Sequence, residues 1–282
     1  MVMSTVRRMI EYVKMEHTVF DLPFVWSGAV IAAHGLYPVI KFLLITVAAI
    51  SARTAAMSIN RIQGLKYDLK NPRKKDWPLV TGEITMKNAI LFTVISAVIF
   101  EVSAYLLNWL VFLLSPIVLF LFLTDPLLKR VTSWRHVYMG LTIGVGTLGG
   151  YLAVVPSFPT SPVIYLVFLA SSLWIAGFDM IYVIPDTEYD RANGLKTVMS
   201  KFSLRKGLFL SSMTHVITGV LFVFIYFYIM STAYLVALAL ILSLMALQHV
   251  ILDPGNPKSV KASFLGANSF IGLIFLLGVA FA

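Results

Sequence analysis

Two stretches of this chain, residues 136–178 and 207–252, contain no Asp, Glu, Lys or Arg. Each is long enough for about two membrane spans, since a helix needs roughly 20 apolar residues to cross the hydrocarbon. Only 12% of the 282 residues are charged, against about 25% in a soluble domain. The sequence therefore predicts an all-α, multi-pass membrane protein. Nine spans fit, at about 18–34, 38–60, 86–107, 109–128, 137–156, 162–184, 207–228, 232–252 and 263–281.

The cations test that count. Twenty of the 22 lysines and arginines fall in the N-terminal segment and in the connectors after the second, fourth, sixth and eighth spans. With nine spans these segments share one side. The opposite connectors, near Gly35–Pro38, Asn108, Pro156–Pro162 and Ser231, are nearly uncharged. The positive-inside rule places the N-terminus and the charged connectors in the cytoplasm and the C-terminus outside. The net charge of +9 thus reads as topology, not nucleic-acid binding. Arg7, Arg8 and Lys14 precede an apolar run as in a signal peptide, but Asp21 and Pro23 interrupt it, so it reads as the first span. Absence of cysteine excludes disulfides, thiolate catalysis and Cys-ligated metals.

Polar residues cluster at the charged ends. Asp186 and Asp190 are spaced for one helix face, with Asp179 two turns deeper. Three carboxylates in a row repel unless a cation lies among them, and hard oxygen ligands suit Mg²⁺ bridged to a phosphate. The plainer reading is a helix end dressed with solvated charge, which leaves Asp179 unexplained. Asn60 and Asp68 form a second two-turn pair, with Gly64 between them and a basic run after; an anionic lipid surface would also suit that run. Lys129 and Arg130 fit a diphosphate clamp or snorkelling cations equally. The glycines at 140, 144, 146, 149 and 150 read as a helix-packing face. Arg53 and Glu101 lie inside spans and serve packing or the cavity; His215 reads as a structural histidine. The connectors 61–85 and 185–206 hint at two similar halves, without a strong residue-level repeat.

At these motifs the chain resembles the UbiA superfamily of intramembrane aromatic prenyltransferases, nearly end to end. The segments are Met15–Phe24, Ala56–Arg61 with Asp68, Lys70–Arg73 and Pro78–Gly82, Pro126–Arg130, and Gly177–Tyr182 with Asp186–Asp190 and Gly194-Leu. Three positions depart from the pattern: Gly64 replaces the middle Asp of the first motif, Asp125 an aromatic, and Trp77 an arginine. The resemblance implies a single prenyltransferase domain over 1–282, with Asp-containing motifs at 60–68 and 179–190. Its nine helices would surround a central cavity opening near the cytoplasmic face of the cell membrane. It implies transfer from an isoprenyl diphosphate to an aromatic acceptor such as 4-hydroxybenzoate, in quinone synthesis, or to a glycerol-phosphate lipid. Asn60, Asp68, Asp186 and Asp190 would be catalytic and hold Mg²⁺. Lys129, Arg130, Arg61 and Arg73 would bind the diphosphate, Asp179 and Tyr182 would line the cavity, and Asp68 would orient or deprotonate the acceptor. A secondary transporter is the alternative from another class, but its ionisable groups belong near the midplane. CDP-alcohol phosphotransferases need a tighter aspartate run than this chain has.

Overall fold

A computed structural model describes residues 5–35 and 38–282. Part of the predicted Gly35–Pro38 connector, Leu36 and Tyr37, lies outside the described residues. Among the described residues nine long helices carry the fold: α1 (Thr18–Ala33), α2 (Val39–Asp68), α3 (Met86–Leu107), α4 (Trp109–Leu128), α5 (Arg135–Val154), α6 (Val163–Tyr182), α7 (Leu204–Ile229), α8 (Thr232–Val250) and α9 (Pro257–Ala280). Eight are long and apolar enough to cross a membrane; α1, at 16 residues, is shorter. The described residues form no strands. This is an integral membrane protein, all-α as the sequence predicts.

Side-chain caps start several helices where the chain enters the apolar layer. Asn108 accepts from the Leu110 and Val111 N–H groups at 3.0 Å, and Thr85 and Ser203 accept from Asn88 and Lys206. Such caps satisfy backbone donors that lipid cannot. Large apolar side chains cover the outer faces of α3, α4, α7 and α8, including Val94, Val98, Phe120, Phe224 and Val236. In a bilayer these contact lipid.

Glycine brings α1, α5 and α6 together. A Cβ at Gly28 or Gly150 would strike backbone of the facing helix, at Thr147 and Val25. A Cβ at Gly140 or Gly144 would strike Ser172. Three of the predicted packing glycines therefore do pack, whereas a Cβ at Gly149 would meet open space. Below the charged end, Phe20, Phe24, Trp174, Phe178, Phe222 and Phe275 join α1, α6, α7 and α9 in one aromatic core. A π-helical stretch, Ala262–Ala267, interrupts α9, and Asn268 just after it accepts from Trp174 Nε1 at 2.8 Å.

Two departures from expectation concern the motifs. α2 does not stop near residue 60; it stays helical through Gly64 to Asp68. α6 does stop, at Tyr182, before a 3₁₀ turn (Ile184–Asp186) and a short helix (Thr187–Ala192). Pro185 explains the break, because it has no N–H to continue the ladder. Asp179, Asp186 and Asp190 thus lie on three elements, not on one helix face.

Candidate active site

The charged ends of α2, α4 and α6 surround a cavity of about 190 Å³. Asn60, Arg61, Asp68, Arg73, Lys129, Arg130, Asp179, Tyr182 and Asp186 all line it. Below it lies an apolar chamber of about 340 Å³, walled by α1, α2, α4 and α5. The two share Asp21, Arg53, Met57, Asn60, Met139 and Ile143. Alanines 48, 49, 52 and 56 on α2 and Gly146 and Gly149 on α5 leave the space. Its α2 wall, from Asn60 to Ile45, is about 22 Å long at 1.5 Å per residue.

Each motif carboxylate at the mouth holds a cation. Asp68 Oδ1 is 2.7 Å from Lys74 Nζ. Asp186 pairs with Arg73 and accepts from Asn71 Nδ2 at 2.9 Å. Asp190, predicted as a metal ligand, is fully buried and does not itself line the cavity; it reaches it through Lys129, whose Nζ is 2.9 Å from Oδ1, and Oδ2 has no hydrogen-bond partner. Burial raises the Asp190 carboxyl above the ordinary carboxylate range, against the pull of Lys129, and lowers the Lys129 ammonium. A hydrogen bond from Tyr189 Oη to the Tyr67 carbonyl, 2.6 Å, ties the two motifs together. Arg61 is buried with its guanidinium 3.6 Å above the Trp77 ring, so the Trp that departs from the family pattern seats a cation. Arg73 lies 5.0 Å over Tyr182, and Arg130 reaches the Gln63 carbonyl at 3.3 Å. Lys66 is exposed and lies off the cavity wall.

Asp179 sits apart from this group. Its Oδ2 is 2.6 Å from His136 Nδ1 and 3.6 Å from Arg135 Nη1. Arg135 also faces Asp125, with Nη2 3.7 Å from Oδ2. His136 Nε2 accepts from the Val198 N–H, so Nδ1 carries the proton that Asp179 receives. Asp179 has no cation near it in sequence; the fold supplies Arg135, from α5. Asp125, the second departure, is the other half of that arrangement. The intramembrane Arg53 is also paired, with Asp21. Glu101 accepts from Ser115 Oγ at 2.6 Å, and His215 meets His249 and the Trp174 carbonyl.

Hard carboxylate oxygens and the orphaned Asp190 Oδ2 suit Mg²⁺. Among the described residues no three His, Asp or Glu side chains converge enough to hold an ion alone. That fits a metal completed by substrate phosphate, because Mg²⁺ commonly takes one or two carboxylates plus phosphate oxygens.

A helical bundle with acidic motifs at one end, over an apolar chamber, defines a membrane protein built for an amphipathic, phosphate-bearing ligand. Residues 22–276 match the UbiA prenyltransferase family, and the chain belongs to it. Among curated relatives, a 4-hydroxybenzoate octaprenyltransferase of Francisella tularensis subsp. novicida (strain U112) is 28% identical over 171 residues, 61% of this chain and 60% of the relative. A mitochondrial 4-hydroxybenzoate polyprenyltransferase of Drosophila pseudoobscura pseudoobscura is 29% identical over 268 residues, 91% and 64% respectively. The chain thus spans about 60% of the length of the curated relatives it matches. Of solved structures, the apo UbiA homolog from Aeropyrum pernix K1 superposes with TM-score 0.84 and 31% identity, covering 94% of this chain and 97% of that one. Two more distant structures share the fold. One is a UbiA homolog from Archaeoglobus fulgidus bound to GPP and Mg²⁺ (TM-score 0.73, 16% identity, 97% and 99% covered). The other is a digeranylgeranylglyceryl phosphate synthase (0.71, 19%, 99% of each).

Proposed function

We propose that this chain transfers a prenyl group from an isoprenyl diphosphate to an aromatic acceptor, with 4-hydroxybenzoate as the first candidate. The observation that carries the reading is the union of two cavities: paired carboxylates and cations at the mouth, and an apolar chamber sharing its walls below. Diphosphate and prenyl chain require those two environments side by side. Mg²⁺, held by Asn60, Asp68, Asp186 and Asp190 with phosphate oxygens, would neutralise the diphosphate as it leaves.

The side chains do the rest. Arg73, Lys74 and Lys129 sit on carboxylates and are placed to turn to phosphate oxygens. Arg61, fixed over Trp77, and Arg130 add fixed positive charge. The chamber excludes water, which would otherwise capture an allylic cation. The segregation of the cations supports an orientation with the mouth and N-terminus on the cytoplasmic side of a cell membrane and the C-terminus outside. Family membership weighs against the transporter reading. Transfer to a glycerol-phosphate hydroxyl remains the second reading, supported by the fold shared with the digeranylgeranylglyceryl phosphate synthase.

Purified protein with Mg²⁺, geranyl diphosphate and a panel of phenolic acids and glycerol phosphates tests both. A prenylated phenolic acid detected by mass supports the first reading, and a prenyl ether of glycerol phosphate supports the second. No product with any acceptor, from protein that binds the donor, overturns both.

A further inference from the structure

Asp125 lies on the chamber wall, four residues and one helical turn before Lys129. Residues so spaced share a face, about 6 Å apart. Lys129 lines the charged cavity and Asp125 the apolar chamber, so Asp125 stands one turn deeper, where the prenyl chain of the proposed donor would begin. It is 8% exposed; its Oδ2 faces Arg135, and its Oδ1 is buried with no hydrogen-bond partner. A buried acceptor atom left empty costs about 1–3 kcal/mol, so such an atom calls for a ligand. The other cavity carboxylates are engaged elsewhere: Asp21 with Arg53, Asp68 with Lys74, Asp179 with His136 and Asp186 with Arg73. Asp190 shares an empty oxygen with Asp125 but is fully buried behind the charged cavity's wall, paired with Lys129.

We infer that Asp125 receives the hydroxyl group of the acceptor and takes its proton as the acceptor attacks. This deepens the proposed reaction and rests on it. The C1–O bond of the donor breaks with its electron pair leaving on the diphosphate. The acceptor ring carbon ortho to the hydroxyl supplies the pair for the new bond to C1, while the hydroxyl proton passes to Asp125. Loss of the ring C–H proton then restores aromaticity and the oxygen regains a proton, so one proton is released overall. Arg135, between Asp125 and Asp179, gives the carboxylate a positive neighbour on its Oδ2 side and leaves Oδ1 without a partner. The role belongs to this chain in particular, since Asp125 stands where the family pattern has an aromatic.

The test compares wild type and Asp125→Asn with geranyl diphosphate and three acceptors: 4-hydroxybenzoate, a ring-fluorinated 4-hydroxybenzoate with a more acidic phenol, and 4-methoxybenzoate. Loss of a general base costs on the order of a hundredfold or more in kcat. Asp125→Asn is expected to lose that factor with 4-hydroxybenzoate, to lose clearly less with the fluorinated phenol, and to bind a non-reactive donor analogue as wild type does. Equal losses with both phenols, or no loss, would overturn the inference. Should Asp125→Asn fail to bind the analogue, the wild type decides: it must discriminate strongly against 4-methoxybenzoate, and equal turnover of the two acceptors refutes a role for any hydroxyl base. If the wild type prenylates only glycerol phosphate, the aromatic reading fails. Asp125→Asn is then measured on that alcohol, where an unchanged kcat refutes the inference by itself.

Discussion

Gly64 is where this chain breaks most plainly with the family pattern, and its surroundings make the effect of a carboxylate there calculable. The helix runs straight through it, so a side chain is tolerated by the backbone. A Cβ would meet Asp68 Oδ2 at 3.3 Å, a contact that a rotation of the Asp68 side chain relieves. Replacing an interior helical glycine recovers about 1 kcal/mol for alanine and about 0.3 kcal/mol for aspartate. Two carboxylates at i, i+4 cost about 0.2–0.5 kcal/mol. Gly64→Ala is therefore expected to stabilise the protein by up to about 1 kcal/mol, and Gly64→Asp to leave it nearly unchanged. The added carboxylate shares the face of Asn60 and Asp68, so it offers a metal one more ligand. A tenfold fall in half-saturating Mg²⁺, about 1.4 kcal/mol, is the expected scale. The assay is binding of a non-reactive geranyl diphosphate analogue against Mg²⁺ concentration, with Gly64→Ala as control and thermal unfolding in detergent alongside. A Gly64→Asp protein that needs as much Mg²⁺ as Gly64→Ala would refute the placement of the metal beside this face. Lys66→Ala should change nothing, since Lys66 is exposed and off the cavity wall; an inactive Lys66→Ala would show that this lysine serves the diphosphate.

Asp186→Asn and Asp190→Asn are each expected to abolish Mg²⁺-dependent binding of the same analogue while the protein stays folded; binding at wild-type strength by both would move the metal site elsewhere. Adjacent glycines on α5 should behave oppositely: Gly150→Ala drives a Cβ into the Val25 backbone and should cost about 1–3 kcal/mol in detergent unfolding, whereas Gly149→Ala enters open space and should not destabilise. Tags at Lys74 and Lys201 should be protected from outside labelling in intact cells and a tag at Ser157 labelled; labelling of Lys201 from outside would overturn the proposed orientation.

The helical plan was legible because lipid imposes a length and a charge rule that sequence records directly. The motif residues at 60–68 and 186–190 were legible as groups too polar for their depth. What escaped were contacts between distant segments. Asp179 and His136 are 43 residues apart in sequence, and nothing local pairs them. A usable signal existed, since Asp125 and Asp179 in apolar runs demand a cation, and Arg135 begins the next helix. The break after Tyr182 was also readable from Pro185, but the i, i+4 spacing of Asp186 and Asp190 masked it. The chamber was harder, because a stripe of Gly and Ala reads the same whether it closes on a neighbour, as at Gly150, or faces space, as at Gly149.

Three ion pairs, Asp68 with Lys74, Asp186 with Arg73 and Asp190 with Lys129, bear on what the proposed metal would contribute to this site. Each pair is neutral, so despite a net charge of +9 the chain offers the diphosphate little unpaired cation there beyond Arg61 and Arg130. Turning a lysine or arginine from its carboxylate to a phosphate leaves a buried carboxylate uncompensated, which costs several kcal/mol. The vacated carboxylates would be offset if they held the proposed divalent cation, whose positive charge would replace that of the departed lysine or arginine. Donor binding and metal binding would then depend on each other. Neutral pairs also let these charges share a low-dielectric cavity without repelling one another. On this account, removing a cation alone should harm the ligand-free protein: Lys129→Met leaves Asp190, fully buried, without its partner. Loss of thermal stability that added Mg²⁺ and donor analogue largely restore is the expected result. A Lys129→Met protein as stable as wild type without ligands would show that the pair does not hold the empty site together.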